Sequence, residues 1–206
     1  MTSAKLMIFF GVTVIAAIFS AHPGFFALTR QDLQAGEVWR LVTGHFVHFS
    51  RSHLLLNLGA FALLLHLLPR ISRQQCFWLA VVTPLALSAA LLLTRPQLDS
   101  YGGLSGCLSA LFVFVALRQV RQRTLLTYVY VGAMVLFAAK TFIEMNQTVP
   151  LFASLNSGVV LEPAAHAIGS VLGIFAIFVD RFHVPVFLGA KTADGKNKKA
   201  VPEGTA

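Results

Sequence analysis

Two side chains in this sequence have the chemistry of a nucleophile and its base, and each stands at the start of an apolar run. Ser105 lies in Gly103-Leu104-Ser105-Gly106, and His166 lies in Ala165-His166-Ala167-Ile168-Gly169. A serine hydroxyl is a weak nucleophile until a neighbouring imidazole takes its proton. The same imidazole can later hand that proton to a leaving amine. Ionisable groups at membrane depth are costly, so a histidine inside an apolar segment points to function. A serine at a helix N-terminus also has unpaired N–H groups and the positive end of the helix dipole beside it. Such amides can hold an oxyanion next to the nucleophile. Gly102, Gly103 and Gly106 allow a close backbone approach at the same point.

A second pair, His53 and Asn57, is four positions apart and shares one face of an expected helix. Both are polar within the leucine-rich run His53-Leu54-Leu55-Leu56-Asn57-Leu58. Their N–H groups suit an oxyanion. A packing role stands beside each of these readings. Small residues at spaced positions let membrane helices approach closely, as Gly169-x-x-x-Gly173 would, and His53 and Asn57 can serve as hydrogen bonds between helices.

The remaining polar residues read as structural. His66 falls toward the inner end of its segment, His45 and His48 read as loop contacts, and Lys140 with Glu144 reads as a surface i,i+4 pair. Glu162 lies four residues before His166, but Pro163 intervenes and places it in a loop. The expectation is therefore a Ser–His dyad, with Glu162 as the alternative that would orient His166. Gly-x-Ser-Gly is not the nucleophile elbow, which needs a strand before the serine. No His-Glu-x-x-His zinc pattern occurs. The two cysteines, Cys76 and Cys107, are expected near opposite membrane faces, so neither a disulfide nor a metal cluster is expected, and no cofactor is implied.

The elements that must position these groups are built for lipid. Of 206 residues 56% are apolar and only 12% charged, with a mean hydropathy of +0.74. Soluble domains carry about twice that charged fraction. Six apolar segments can be drawn, 6–21, 53–68, 76–93, 103–117, 125–142 and 163–179. Several are shorter than the ~20 residues needed to cross about 30 Å of hydrocarbon. Short spans let water in from one side. The first segment lacks a small-residue cleavage site and is read as a retained span. The net charge of +8 does not mark a nucleic-acid binder, because the basic residues sit in short loops and the tail with no interleaved aromatics.

Lys5, Arg70, Arg73, Arg118, Arg121, Arg123, Arg181 and the tail lysines fall on one side; Arg30, Arg40, Arg51, Arg95 and Lys140 fall on the other. The richer side should be cytoplasmic, with both termini inside. The first external loop, 22–52, is long and aromatic, and short helices lying partly in the outer leaflet are expected there. Residues 1–188 read as one membrane domain and 189–206 as a disordered cytoplasmic tail.

In these motifs the sequence resembles the rhomboid intramembrane serine proteases, from about Trp39 to Gly173. Trp39-Arg40 is similar to the family's pair in the first external loop. His48-Phe49-x-x-x-His53-x-x-x-Asn57 resembles the motif entering its second helix, Gly103-Leu104-Ser105-Gly106 its nucleophile motif, and Ala165-His166-x-x-Gly169-x-x-x-Gly173 its sixth-helix motif. The resemblance implies an all-α bundle of six transmembrane helices. It also implies Ser105 as nucleophile, His166 as base, and His53, Asn57 and the Gly103–Gly106 turn around the oxyanion. Trp39, Arg40, His48, Gly169 and Gly173 would be supporting structure.

The implied partners are single-span membrane substrates and the bilayer, most simply a bacterial inner membrane. Trp39-Arg40-Leu41-Val42-Thr43-Gly44-His45 is also similar to the rhombosortase subgroup, whose substrates carry Gly-Gly-containing C-terminal membrane tails. In one position the chain departs from the family. Many rhomboids have a tyrosine four residues after the nucleophile, packed on the histidine; here that residue is Ser109. The other readings are a rhomboid-like pseudoprotease that binds membrane segments without cutting, and a small transporter. A transporter site would be expected to show broken helices and repeat symmetry between halves, and the sequence shows neither.

Overall fold

The computed structural model describes residues 2–68, 77–146 and 162–182. It is an all-α bundle with one two-residue strand pair. Six long helical segments follow the expected apolar runs: α1 (Ser3–Ala21), α2 (Arg51–Leu67), α3 (Thr83–Thr94, entered by a π-helical turn Trp78–Val82), α4 (Ser105–Val120), α5 (Leu126–Asn146) and α6 (Pro163–Phe182). Only α1 and α5 are long and apolar enough to cross a bilayer by that criterion alone; the others are shorter or less apolar. Cys76 and the tail 189–206 lie outside the described residues; Cys107 is a buried free thiol.

The sequence explains the layering. α4 is the central helix, buried nearly throughout from Gly106 to Ala116. Its small residues let α6 lie against it. A Cβ on Gly169 would run into the Gly106 carbonyl and Ser109, and one on Gly173 into Ala110 and Val113. This is backbone-on-backbone packing of the kind membrane helices use in place of a hydrophobic driving force. α1 and α5 instead expose large apolar side chains, among them Met7, Phe10, Ile18, Leu136 and Phe142. Such bands suit acyl chains, not water.

Polar contacts fix the two ends of the bundle. At one end the buried Lys5 ammonium donates to the Leu68 carbonyl, which closes the C-terminal end of α2 where a cation is favoured. Gln119 at the end of α4 reaches the Leu67 carbonyl at 3.5 Å. At the other end lie the loop of residues 22–50 and the starts of α2, α4 and α6.

The expected short helices of that loop are Pro23–Phe26, Arg30–Gln34 and Arg40–Thr43, followed by a 3-10 turn Gly44–Phe46. The loop also forms β1 (Leu28–Thr29), paired antiparallel with β2 (Ser100–Tyr101), an element that two residues of sequence do not announce. Arg40 clamps the loop from inside. It is 3% exposed and donates to the carbonyls of Ala27 (2.7 Å) and Gly24 (2.9 Å), with Glu37 and Asp32 as counter-ions. Trp39 stacks on Phe25 with ring centroids 5.6 Å apart and remains partly exposed, as an interfacial aromatic should.

Candidate active site

Ser105 is the first residue of α4. The turn that delivers it is held from three sides. The Gly103 amide donates to the Gly44 carbonyl at 3.2 Å, the Tyr101 hydroxyl donates to the Gly103 carbonyl at 3.0 Å, and β2 pairs with β1 just upstream. The loop between α1 and α2 therefore sets the position of the serine. Gly103 has φ +144°, a conformation that side-chain-bearing residues rarely adopt. Its amide is committed to Gly44, so its contribution is shape. The N–H groups of the first turn of α4, beginning at Ser105, have no carbonyl within the helix to bond.

His53 and Asn57 lie on one face of α2, whose start is capped by the Ser50 hydroxyl accepting from the His53 amide at 3.2 Å. A Cβ on Gly103 would sit 2.9 Å from His53 Cε1 and 3.9 Å from Ser105 Oγ. The imidazole of His53 and the serine hydroxyl thus flank the same point. Asn57 is 6% exposed. Its Nδ2 and both ring nitrogens of His53 are buried without a protein partner. Buried polar groups left unpaired are costly, and the Asn57 amide with the one N–H of a neutral His53 puts two donor groups beside a helix N-terminus, a place suited to negative charge. His48 packs edge-to-face on His53 at 4.9 Å, and its Nδ1 and backbone are tied to Phe46 and Ser20.

His166 enters from α6. Pro163 and Glu162 start that helix; the Glu162 carboxylate accepts from the Ala164 amide at 3.1 Å and pairs with Arg95 at 3.2 Å. Glu162 is therefore an N-cap, and the idea that it orients His166 is not supported: its carboxylate faces the helix end and Arg95. The residues adjoining the pair meet directly. A Cβ on Gly106 would touch the Ala165 carbonyl (3.1 Å) and Cβ (3.3 Å). Ser105 and His166 are the immediate sequence neighbours of the two residues in that contact. Gly106, Gly169 and Gly173 have a packing role here, and the packing is what joins the two helices that carry Ser105 and His166.

Lys140 and Glu144 form the expected i,i+4 pair, but the expectation that it lies at the surface is overturned. Glu144 is 3% exposed, not a surface residue. Lys140 Nζ lies 2.6 Å from Glu144 Oε2, and the same oxygen lies 3.6 Å from His166 Nδ1. α5 extends to Asn146, beyond the expected end at 142, and the added turn carries Glu144 into the bundle. Ser109, in the usual tyrosine position, donates to the Ser105 carbonyl at 2.8 Å. The aromatic beside His166 is instead Phe137 of α5, with centroids 6.2 Å apart. The sequence signal for Glu144 was present as an acid within an apolar span, but its i,i+4 lysine offered a simpler reading.

The loop histidines are more than contacts. His45 is fully buried; its Nε2 lies 2.8 Å from Ser88 Oγ and 3.0 Å from the Pro84 carbonyl, while Ser88 donates to the Leu41 carbonyl at 2.7 Å. It bolts the loop between α1 and α2 to α3. Burial pushes its pKa down to about 4, against a smaller opposing effect of the Pro84 carbonyl. His48 is likewise pushed down to about 4, by burial first and then by the neighbouring His53. No group of three or more metal-ligating side chains exists among the described residues.

Ser105 thus heads the central helix of the bundle, and His166 lies on the helix packed against it. The rhomboid domain family matches residues 35–181, and the chain belongs to that family, whose members are in general integral membrane serine proteases. No curated protein matches the chain.

Proposed function

We propose that this protein is an intramembrane serine endopeptidase that cuts single-span membrane proteins through an acyl-enzyme on Ser105. His166 takes the Ser105 proton as Oγ attacks the scissile carbonyl, then returns it to the leaving amine. The amides of the first turn of α4, with His53 and Asn57, receive the oxyanion. The observation that carries this reading is the cluster of unpaired buried donors on α2, facing the turn that presents Ser105.

The depth of the site follows from helix length. Sixteen residues of α4 span about 24 Å, short of the ~30 Å hydrocarbon core. With Arg118 and Gln119 at the inner interface, about 20 Å along the axis from Ser105, the serine sits about 10 Å inside the outer boundary. Water reaches it from the external side, and both termini are cytoplasmic. A substrate helix must unwind before its carbonyls are free, so small or helix-breaking residues near the cut favour cleavage. The Trp39–His45 stretch supports a rhombosortase-type preference, for tails containing Gly-Gly, in a bacterial inner membrane.

Cleavage of tagged single-span substrates tests this, one carrying a Gly-Gly tail and one a generic rhomboid substrate. Wild type cuts at least one of them, and Ser105→Ala and His166→Ala abolish cutting. Undiminished cutting by Ser105→Ala would refute the dyad. A preference for the generic substrate would remove the subgroup assignment alone. A wild-type protein that binds these substrates without cutting them would identify a pseudoprotease.

A further inference from the structure

The histidine of the proposed dyad has an acid beside it that the family's two-residue scheme does not use. His166 Nδ1 is buried and has no hydrogen-bond partner, and Glu144 Oε1 is buried and has none either. An orphaned donor and an orphaned acceptor stand on groups whose nearest approach is 3.6 Å, between Nδ1 and Oε2. Burying either alone is costly, and a small rotation of the carboxylate would satisfy both. Catalytic hydrogen bonds are often long in a free enzyme and tighten with substrate. Lys140, one helical turn earlier, holds that same Oε2 at 2.6 Å and leaves Oε1 open.

We propose that Glu144 is a positioning residue for His166, completing a Ser105–His166–Glu144 relay whose acid comes from α5. Glu144 accepts a hydrogen bond from Nδ1–H. That fixes the tautomer in which Nε2 is the free base facing Ser105. When Nε2 takes the Ser105 proton, the carboxylate stabilises the imidazolium and itself remains unprotonated. Lys140 anchors the carboxylate in place through Oε2. Phe137, on the same helix and 6.2 Å from the imidazole, supplies the ring contact that Ser109 cannot. α5 thus supports His166 in two ways.

This assignment rests on Ser105 and His166 being nucleophile and base, and the experiment separates the two claims. The full chain is purified in detergent as wild type, Ser105→Ala, Glu144→Gln, Glu144→Asp and Lys140→Met. Each is assayed for kcat and KM on a single-span substrate, for the rate of fluorophosphonate labelling, and for melting temperature. Glu144→Gln is expected to lower kcat and labelling rate together by about 10²-fold, with KM and melting temperature little changed. Glu144→Asp recovers part of the loss, and Lys140→Met behaves like Glu144→Gln.

Glu144→Gln at wild-type kcat, with Ser105→Ala inactive, would overturn the Glu144 assignment and leave the dyad intact. Full activity of Ser105→Ala would overturn both. Should the Glu144 variants fail to fold, the ¹⁵N spectrum of the wild-type imidazoles decides. A His166 protonated on Nδ1 at neutral pH supports the relay, and one protonated on Nε2 refutes it.

Discussion

Replacing Gly103 by alanine should separate the shape of the serine turn from its chemistry. At φ +144° an alanine is strained by roughly 1–3 kcal/mol. Its Cβ would lie 2.9 Å from His53 Cε1, against an ordinary carbon–carbon contact of about 3.5 Å. The imidazole must therefore retreat by about 0.6 Å, more than the ~0.5 Å that a catalytic constellation tolerates. Loss of one oxyanion donor costs about 10²–10³ in kcat. Gly103→Ala should accordingly lower kcat about 10²-fold while leaving a folded protein of reduced melting temperature. If the loss runs through His53, the double variant with His53→Ala should be no worse than His53→Ala alone, within about threefold. The assay is steady-state cleavage of a single-span reporter by the four proteins of this cycle. Retention of a third or more of wild-type kcat by Gly103→Ala, or losses that multiply in the double variant, would refute the reasoning.

Three further outcomes follow from the scaffold. Arg40→Met removes a buried guanidinium from two carbonyls and two carboxylates and should destabilise the protein by about 3–5 kcal/mol, read as a lower detergent melting temperature and faster proteolysis of the external loop. Gly169→Val should force α6 from the Gly106 carbonyl and abolish activity together with a large fall in melting temperature, whereas Ser170→Ala, one position on, should keep most of both. His45 has a folded pKa of about 4 against 6.5 unfolded. Between those values the unfolded chain binds the extra proton, so stability should decline as pH falls from about 6.5 to 4, by up to about 3 kcal/mol. Thermal melts against pH should show a shallower decline for His45→Gln.

The long helices were legible because lipid demands apolar segments, and 103–117 or 163–179 could be read with ends within a few residues of Ser105–Val120 and Pro163–Phe182. Ser105, His166, His53 and Asn57 were legible as polar exceptions in those segments. The strand pair was not: Leu28–Thr29 and Ser100–Tyr101 are too short to show period-two patterning, and their pairing is set by how the loop packs over α3 and α4. Arg40 and His45 were legible as a motif but not as a clamp and a bolt, because their partners are largely backbone carbonyls distant in sequence. Glu144 was misread for a related reason. An i,i+4 lysine explains an acid locally, and only the packing of α5 against α6 shows that the same oxygen faces His166.

The central claim is that Ser105 is a nucleophile activated by His166. The most direct measurement is fluorophosphonate labelling of the purified full-length protein, with the adduct mapped by mass spectrometry. The account predicts one adduct, on the peptide containing Ser105, absent in Ser105→Ala and formed at least about 10²-fold more slowly in His166→Ala. Labelling elsewhere than Ser105, or labelling of Ser105 at an unchanged rate without His166, would contradict it.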